Sequence, residues 1–301
     1  IVNLLFLVPF FVGAQSDFKF GKVTKEELSS EACSFFEAAD AMVLGERASL
    51  SFKYSDEYGW QYEVEVERKV KIFNNVGKEY GNVKIRVYSP IRGESKEEII
   101  GLKAFTYNLK DGKIEKTKLK AEDKYESRLS DYRSEIAFAM PAVQEGSIIE
   151  YKYKLTSDFI SNLYDWQFQK EIPVKYSEFE YMIPEFFKYQ ISQVGNVIEL
   201  KKKKQSRLES FAYNYSGTPE KGGAVRTISG TYSSQSDYTK LSGLDILPLE
   251  EEPFMNNKKN LPARIESQLI SIEMPNSKPR NIANSYAKFN KTLLESERFG
   301  Q

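Results

Sequence analysis

The 301-residue chain carries 43 lysines and arginines against 43 aspartates and glutamates, and it contains no histidine. Without an imidazole there is no Ser-His-Asp triad, no Cys-His pair and no histidine metal ligand, and the single cysteine, Cys33, excludes an intrachain disulfide and a multi-thiolate zinc site. The balanced charge also argues against nucleic acid as the main partner, because domains that bind phosphate backbones usually carry a clustered basic excess.

The first twelve residues form an apolar segment without a charged side chain. The segment is too short for a transmembrane helix, but its length and the small residues before the polar switch at Gln15 are typical of a secretory signal peptide. We therefore expect residues 1–14 to be the remnant of a signal peptide that is cleaved after Ala14, and the mature protein to be exported without a stable membrane span. An apolar first strand is the alternative interpretation of this segment.

Residues 15–45 are expected to form a helical N-terminal segment. Thr24 and Glu27 have the spacing of a capping box, in which each side chain accepts a hydrogen bond from the backbone of the other residue. The predicted helix continues through Cys33, which lies close to two phenylalanines. Because no imidazole is present to activate it, the thiol of Cys33 is expected to be a small buried side chain rather than a nucleophile.

From Glu46 onward, apolar residues alternate with polar ones at a period of two, which is typical of strands with one buried and one wet face. The clearest alternating series consists of Trp60, Tyr62, Val64, Val66, Val70 and Ile72. Asp111-Gly112 is the signal for a tight hairpin between two such strands. About a dozen short strands without intervening helices predict a mainly β protein, with a large antiparallel β-sandwich over residues 46–238.

The four lysines at 201–204 form the charge run most suited to an anion. They directly follow the apolar segment 197–200, which is predicted to be a strand, and lysines along a strand commonly protect a sheet edge from pairing with another chain. We therefore interpret this run as a solvated strand edge. Lys221-Gly222-Gly223 lacks the glycine spacing of a phosphate-binding loop and is predicted to be a turn.

After Tyr238 the alternation fades, and residues 239–301 are expected to form a linker and a helix. Prolines separate the short apolar segments of this region. The apolar residues at helical spacing near its end are Ile282, Tyr286, Phe289 and Leu293. They predict a helix with one apolar stripe, which leads toward another domain.

The sequence assigns no residue a catalytic, cofactor-binding or metal-binding role. Its carboxylates are too numerous to select a hydrolytic pair, and no calcium-loop motif occurs. Aromatic residues make up 14% of the chain, and exposed aromatic rings can stack on sugars. Trp60 and Trp166 are therefore candidate binding residues, although aromatic residues that alternate along strands more commonly face the core.

Several short motifs resemble an exported bacterial family whose members carry an N-terminal domain of unknown function ahead of a transglutaminase-like domain. In chain order the motifs are 17–24 with Glu26-Glu27-Leu28, 41–44, 104–107 with Asp111-Gly112-Lys113, 138–141, 146–151, 251–255 and 293–300. Their order and spacing carry the resemblance, which covers nearly the whole mature chain.

The resemblance implies a protein of the periplasm or cell envelope of a Gram-negative bacterium, or a secreted one. It also implies that a catalytic domain of the papain-like class, with its Cys, His and Asp, would begin about where this chain ends. Cys33 matches no catalytic motif of the family, so no catalytic residue is transferred. We expect this chain not to be an enzyme, and the intact protein to be transglutaminase-like or cysteine-protease-like.

The function expected from these observations is that of a non-catalytic module that positions or binds polypeptide or cell-envelope material. Its expected partner is the downstream transglutaminase-like domain of the same polypeptide, and no cofactor or nucleic acid is expected. A carbohydrate-binding module that uses exposed aromatic residues such as Trp60 or Trp166 is the alternative. Peptide and glycan are thus both open as ligands at this point.

Overall fold

The computed structural model describes residues 18–93, 95–217, 226–249, 261–275, 277–282 and 294–295. The predicted signal-peptide remnant, the predicted turn at 221–223 and positions 283–293 of the predicted terminal helix lie outside the described residues. Within them the chain is mainly β, as predicted, with one short helix and fifteen strands. The bounds are α1 Lys25–Ser29, β1 Ala41–Ser55, β2 Gly59–Ile72, β3 Asn82–Tyr88, β4 Glu97–Lys110, β5 Lys113–Lys118, β6 Lys124–Ser130, β7 Arg133–Ala139, β8 Ile148–Ser157, β9 Trp166–Gln167, β10 Val174–Ile183, β11 Phe187–Val194, β12 Lys201–Gly217, β13 Arg226–Ile246, β14 Arg264–Ile272 and β15 Arg280–Asn281.

Eight strands form one large sheet in the order β12-β13-β10-β1-β2-β8-β4-β5. Neighbouring strands are antiparallel except for β1 and β10, which run parallel with Val43 opposite Val174. A parallel pair needs a crossover connection, and here β2 to β9 lie between the two strands in the chain. The sheet therefore consists of two antiparallel blocks that are joined along one parallel seam.

Two smaller sheets cover one face of the large sheet, which we call the core face. One has the order β3-β7-β6, and the other joins β11, β14 and β15, with β9 also paired to β14. The ring of Phe138 on β7 packs against Tyr151 on β8 at a centroid distance of 6.1 Å, and Phe187 on β11 stacks on Phe52 of β1 at 5.1 Å. One continuous apolar core joins the three sheets, so the predicted layered β architecture is confirmed.

The strand β2 shows why the large sheet has two different faces. Tyr62, Val64 and Val66 are buried on the core face, in the alternation that the sequence predicts. Between them, Glu63 points to the other face of the sheet, where its carboxylate lies 3.0 Å from the ammonium of Lys154 on β8. Cross-strand charge pairs of this kind make the second face, which we call the outer face, polar.

Residues 18–40 pack across one end of the outer face. Leu28 of α1 joins Tyr107 in a small apolar cluster that is separate from the main core. The ammonium of Lys71 is buried beneath this segment and donates hydrogen bonds to the carbonyl oxygens of Leu28 at 2.6 Å and Gly146 at 2.7 Å. The N-terminal segment is therefore attached to the sheet by a buried cation as well as by apolar contacts.

The helix α1 has the predicted start but ends earlier than predicted. The Thr24 hydroxyl accepts a hydrogen bond from the Glu27 backbone at 3.2 Å, and the Glu27 carboxylate accepts one from the Thr24 backbone at 2.9 Å. Ser30 is extended, and its hydroxyl donates to the backbone of Ala32, which competes with continuation of the helix. The prediction that Cys33 lies within the helix is wrong, but the thiol is buried as predicted, with 4% of the residue exposed.

Two predicted boundaries do not coincide with the strands. The strand β13 crosses the predicted end of the sandwich at 238 and continues to Ile246. The strand β14 lies within the predicted linker but pairs with β11 and buries Ile265 and Leu269 in the core. The reason is that β13 is rich in serine and threonine, so its place in the sheet depends on pairing between β10 and β12 rather than on an apolar pattern.

Two local predictions are confirmed. The turn between β4 and β5 has positive φ angles at Asp111 (50°) and Gly112 (69°), as a two-residue hairpin requires. The four lysines at 201–204 are exposed on β12, which pairs with β13 alone among the described strands. The lysine run therefore lies on a sheet edge.

Candidate functional site

A pocket of ≈ 240 Å³ lies on the core face of the large sheet, beside the parallel seam. Strands β1, β2 and β8, the 3₁₀ turn Val76–Gly81 and the segment after β9 supply its walls. Its principal apolar and polar lining residues are Val43, Val70, Ile172, Arg68, Tyr151 and Lys170. Two of these residues are cations in a partly buried setting, which makes this cationic pocket the candidate functional site.

The pairing register of β2 places Arg68 in the cationic pocket. The alternation of β2 directs Val66, Arg68 and Val70 to the core face. Arg68 lies opposite Glu46 on β1 and opposite Tyr151 on β8. Directly opposed residues of neighbouring strands are close enough to interact, so the guanidinium has a carboxylate on one side and a phenol on the other.

A β-bulge in β1 brings Glu46 to the same face as Arg68. The pairing of β1 with β2 shifts register between Val43 and Gly45, so β1 has one extra residue there. Val43 and Glu46 are three positions apart and would point to opposite faces in a regular strand. With the bulge, both lie on the core face, opposite Val70 and Arg68. The carboxylate of Glu46 is consequently buried, with 0% of the residue exposed.

The buried carboxylate of Glu46 is the centre of an ion-pair network. Its Oε2 accepts a hydrogen bond from Arg68 Nε at 2.8 Å, and its Oε1 accepts one from the Ser177 hydroxyl at 2.8 Å and lies 3.1 Å from Lys170 Nζ. Ser177 Oγ in turn accepts a hydrogen bond from Trp166 Nε1 at 3.0 Å. Because Ser177 belongs to β10 and Glu46 to β1, the network crosses the parallel seam.

The segment after β9 holds Lys170 over the network. The backbone amide of Leu249 donates a hydrogen bond to the backbone carbonyl of Lys170 at 2.7 Å, and this bond holds the segment in place. The ammonium lies 5.4 Å from the ring centroid of Trp166 and donates to the carbonyl of Gln167. Aromatic faces attract cations at such distances, so the Trp166 ring helps to hold the ammonium of Lys170 in position.

The cationic pocket carries excess positive charge at neutral pH. Arg68 and Lys170 share one buried carboxylate, that of Glu46, whereas Glu171 lies exposed at the rim, where water screens its charge. Burial lowers the pKa of Lys170 to about 8, and the charge of Arg68 acts in the same direction against the effect of Glu46. Burial opposes the charge of Arg68, but the neighbouring Tyr151 and Glu46 outweigh it and raise the pKa of Arg68.

The guanidinium of Arg68 is positioned to bind an added anion. It has five N–H donors, of which Nε donates to Glu46 and Nη1 donates to the Tyr151 hydroxyl at 2.9 Å. A quarter of the side chain, 25%, is exposed toward the pocket. Arginine is well suited to planar anions because its donors form a rigid fork.

The walls of the pocket supply cationic, phenolic and apolar side chains. The lining residues include no serine, threonine or cysteine, so the usual hydroxyl and thiol nucleophiles of acyl transfer are not found in the walls. Cys33 belongs to a different cluster, with Ala39 and Met42. In the part of the chain that the structure describes, no group of three His, Cys, Asp or Glu side chains could hold a metal ion.

The two tryptophans predicted as binding residues lie in the core. Trp166 has only 2% of its surface exposed, so the expectation that it forms an exposed platform is wrong. Trp60 is half-buried, and its ring meets Phe187 at 5.2 Å and Phe211 at 4.8 Å edge-on. A ring that stacks on a sugar needs an open face, and the packing of these two aromatic residues gives no support to carbohydrate binding.

Glu46, Arg68 and Lys170 were not predicted as site residues from the sequence. A signal existed only for Arg68, which stands at the one interruption of the apolar series on β2. No local pattern marks Glu46 or Lys170. Their positions depend on a bulge in one strand and on a chain segment that crosses over the sheet.

Comparison with protein families finds a match over the central part of the chain. A family described as "Domain of Unknown Function with solved-structure structure (DUF3857)" matches residues 61–220, which is more than half of the chain. The matched range contains Arg68, Tyr151 and Lys170 of the cationic pocket. A comparison with curated proteins finds no match.

Comparison with solved structures shows a related fold. A crystal structure from Parabacteroides distasonis, described as a "putative protease", has a TM-score of 0.55 and 16% identity over 77% of this chain and 41% of that chain. The present chain thus spans less than half of that protein, and the likeness shows the fold alone. A "putative nutrient binding protein" from Legionella pneumophila has a TM-score of 0.27 and 7% identity over 75% of this chain and 67% of that chain, which is too low to carry an argument.

Among the described residues, no helix is both long enough and apolar enough to span a bilayer.

Proposed function

The chain belongs to the DUF3857 family, a domain of unknown function, and we propose that it is a non-catalytic module that binds polypeptide within a longer, exported protein. Its likeness in fold to part of a protein described as a "putative protease" carries the proposal, because the chain covers 41% of that protein. More than half of that protein therefore lies outside the region that resembles this chain. A β module of this kind would hold the substrate while a separate domain acts on it.

The cationic pocket supports a binding role. It lies between the large sheet and the segment after β9, and it combines an apolar wall with two cations. Pockets with apolar walls and a few convergent polar groups are the usual sites of ligand binding. The polypeptide chain supplies both apolar and anionic groups, so it suits such a pocket.

The catalytic partner in this proposal is a downstream domain of the same polypeptide. The short motifs of the chain resemble a family in which a transglutaminase-like domain of the papain-like class follows. The bond-breaking or bond-forming chemistry is assigned to that domain, with its Cys, His and Asp. This chain then contributes affinity and orientation, which convert a bimolecular encounter into an intramolecular one.

Export to the periplasm or cell envelope is part of the same proposal. It rests on the apolar first twelve residues and on the resemblance to an exported family. Fractionation of cells that express the complete gene tests it. Recovery of the protein in the cytoplasmic fraction, beside a cytoplasmic marker, would contradict export.

Binding of labelled peptides to the purified chain tests the main proposal. Fluorescence anisotropy is recorded with a panel of short unstructured peptides, and we expect saturable binding of at least part of the panel. Gln167 is exposed on β9 and lines the pocket, whereas Gln190 is exposed on β11 of the same small sheet. Gln167→Trp should fill the pocket and weaken binding about fivefold or more, while the matched control Gln190→Trp should bind as the unchanged chain does.

Two results would overturn the proposal. The first is the absence of binding to every peptide of the panel. The second is turnover of amide or ester substrates by the purified chain, provided that the activity follows the protein through two orthogonal purification steps.

A further inference from the structure

We propose that the cationic pocket recognises a carboxylate group carried on a short aliphatic stem. This inference rests on the proposed polypeptide-binding function and names the group that the pocket would select. The carboxylate would come from the end of a peptide chain or from an acidic side chain. In either case the anion would sit between Arg68 and Lys170, with its stem against Val43, Val70 and Ile172.

The charge of the pocket matches a single negative charge. Two cations share one fully buried carboxylate, that of Glu46, so one positive charge stays uncompensated within the pocket. The other lining acid, Glu171, is exposed to water at the rim. A monoanion restores neutrality, whereas a dianion would leave a new buried charge without a partner, which is costly.

The donors are arranged for an acceptor with two oxygens. Lys170 Nζ lies 3.1 Å from Glu46 Oε1, and Arg68 Nε lies 2.8 Å from Glu46 Oε2, so both cations already contact the two oxygens of one carboxylate. Both side chains also line the pocket, and each has N–H groups beyond those engaged with Glu46. A second carboxylate would therefore meet the same two cations from the opposite side, in charge-assisted hydrogen bonds.

The size and the walls of the pocket limit what is attached to the carboxylate. A volume of ≈ 240 Å³ is larger than a cavity of about 150 Å³ that can hold a benzene molecule. This space fits one amino-acid residue but not a folded element. Since part of the wall is aliphatic, burial of a small apolar stem adds to the electrostatic attraction.

The phenol of Tyr80 supplies a further neutral donor at the pocket. Burial raises its pKa to about 12, with smaller effects from the charges of Glu79, Glu171 and Asp40. The hydroxyl therefore keeps its proton at neutral pH and can donate a hydrogen bond to an anion. A phenolate there would repel the ligand.

Three short peptides test the proposal on the full chain. They are N-acetyl-Ala-Ala as the free acid, N-acetyl-Ala-Ala amide, and N-acetyl-Ala-Glu-Ala amide, and their binding is measured by isothermal titration calorimetry. We expect the free acid or the glutamate peptide, or both, to bind, and the neutral amide to bind about tenfold more weakly or not at all. Binding of the free acid alone would identify a chain terminus as the source, and binding of the glutamate peptide alone a side chain.

Two lysine variants assign the binding to the pocket. Lys170→Met keeps the unbranched stem and leaves Arg68 balanced by Glu46, so it should weaken binding of the acid about tenfold. Lys240→Met is the matched control, because Lys240 is also a partly exposed lysine paired with a carboxylate, that of Glu178, outside the pocket. It should bind the acid as the unchanged chain does.

The outcomes separate this inference from the function on which it rests. Equal binding of the neutral amide and the acids would overturn carboxylate recognition and leave peptide binding intact. An unchanged affinity in Lys170→Met would place the acid elsewhere and would also overturn the inference. If the chain binds none of the three peptides but binds others of the larger panel, carboxylate recognition is wrong and peptide binding stands. If it binds no peptide at all, both carboxylate recognition and the proposed peptide-binding function are wrong.

A measurement on the unchanged chain covers the case in which Lys170→Met does not fold. The charged groups that face Lys170 are Glu46 from β1 and Arg68 from β2, with the Trp166 ring and the Gln167 carbonyl from β9. As the pH rises through about 8, Lys170 loses its proton and the excess positive charge disappears. Acid binding should weaken over that range, and an affinity that is constant from pH 6.5 to 9.5 would contradict the proposal.

Discussion

Glu46 shows how a charged residue is retained in the core of this protein. Its carboxylate is fully buried but has partners from three directions, namely Arg68, Ser177 and Lys170. A buried charge is costly unless it is paired and hydrogen-bonded. Removal of the carboxylate is therefore expected to cost more than removal of an exposed one, because two cations lose their counter-charge.

We expect Glu46→Gln to lower the free energy of unfolding by about 3–5 kcal/mol, since breaking a buried ion pair leaves an uncompensated charge. Glu115→Gln on β5 is the matched control, because Glu115 pairs with Lys110 and both side chains are exposed, at 57% and 67%. That change should cost about 0–1 kcal/mol. Urea unfolding followed by circular dichroism measures both, and equal losses would contradict the special role of the buried pair.

Lys71 gives a prediction about pH. Its ammonium is buried and donates only to backbone carbonyls in the contacts described, and burial lowers its pKa from 10.5 to about 8. Between these two values the unfolded chain binds more protons at this site than the folded chain. Stability contributed by this group therefore rises with pH from about 8 to 10.5, because the cost of burying a charge disappears.

The test compares each lysine variant with the unchanged chain across that range. The difference in unfolding free energy between the unchanged chain and Lys71→Met should shift in favour of the unchanged chain as the pH rises from 8 to 10.5. Lys84 is exposed on β3 and provides the control Lys84→Met, for which the difference should stay flat. A flat difference for Lys71→Met as well would show that its amine is not perturbed.

The individual residues of the cationic pocket were the hardest features to predict from the sequence. The series from Trp60 to Ile72 correctly identified the buried face of β2, because a period of two directly reflects the geometry of a strand. It did not reveal what an arginine does at a core position. The partner of Arg68 is 22 residues away in the chain and reaches it through a bulge, which no local pattern encodes.

The tight turn between β4 and β5 gives a prediction about the stability of a hairpin. Gly112 has a φ of 69°, and a Cβ atom added there would meet no atom within 4 Å, so any cost comes from the backbone alone. We expect Gly112→Ala to lower the free energy of unfolding by about 1–2 kcal/mol. Asp111→Asn at the neighbouring position should be nearly neutral, since asparagine tolerates a positive φ.

Thermal unfolding of Gly112→Ala and Asp111→Asn tests the prediction for this hairpin. A melting temperature for Gly112→Ala equal to that of the unchanged chain would show that the hairpin adds little to global stability. It would then be an edge element that opens locally. The expected result is a lower melting temperature for this variant only.

Elements with local signals were predicted well, whereas elements defined by distant partners were not. The capping box at Thr24 and the turn at Asp111-Gly112 involve neighbouring residues, and both are present. The parallel pairing of β1 with β10 and the place of β14 depend on residues that are 70 or more positions apart. Hydrophobic alternation says that a strand exists but not which strand lies beside it.

A stable fold of the whole molecule is expected to require residues beyond Tyr238, the predicted end of the sandwich. A chain that ends at Tyr238 would lose the last part of β13 and all of β14, and with them the buried residues Leu241, Ile246, Ile265 and Leu269. Burial of each such side chain contributes about 1.5–3 kcal/mol, and four of them approach the total stability of a typical domain, about 5–15 kcal/mol.

Two truncated chains test this expectation. The chain that ends at Tyr238 should show no cooperative thermal transition, whereas a chain that ends at Ile282 should unfold cooperatively, because it retains β14 and β15. Circular dichroism and limited proteolysis report the result. A cooperative, protease-resistant fold in the shorter chain would show that β14 is an accessory strand.

The parallel seam has a consequence for the order of folding. Glu46 and Ser177, which meet across it, are 131 residues apart in the chain, while β1 and β2 or β12 and β13 are neighbours in sequence. Contacts of such high sequence separation form slowly, because a long loop must be closed before any of their energy is gained. The two antiparallel blocks are therefore expected to form first, and the seam to close last. The cationic pocket lies beside this seam, and its Glu46 network crosses it. A chain that has not completed its folding therefore has no such pocket, and binding competence becomes a marker of the finished molecule.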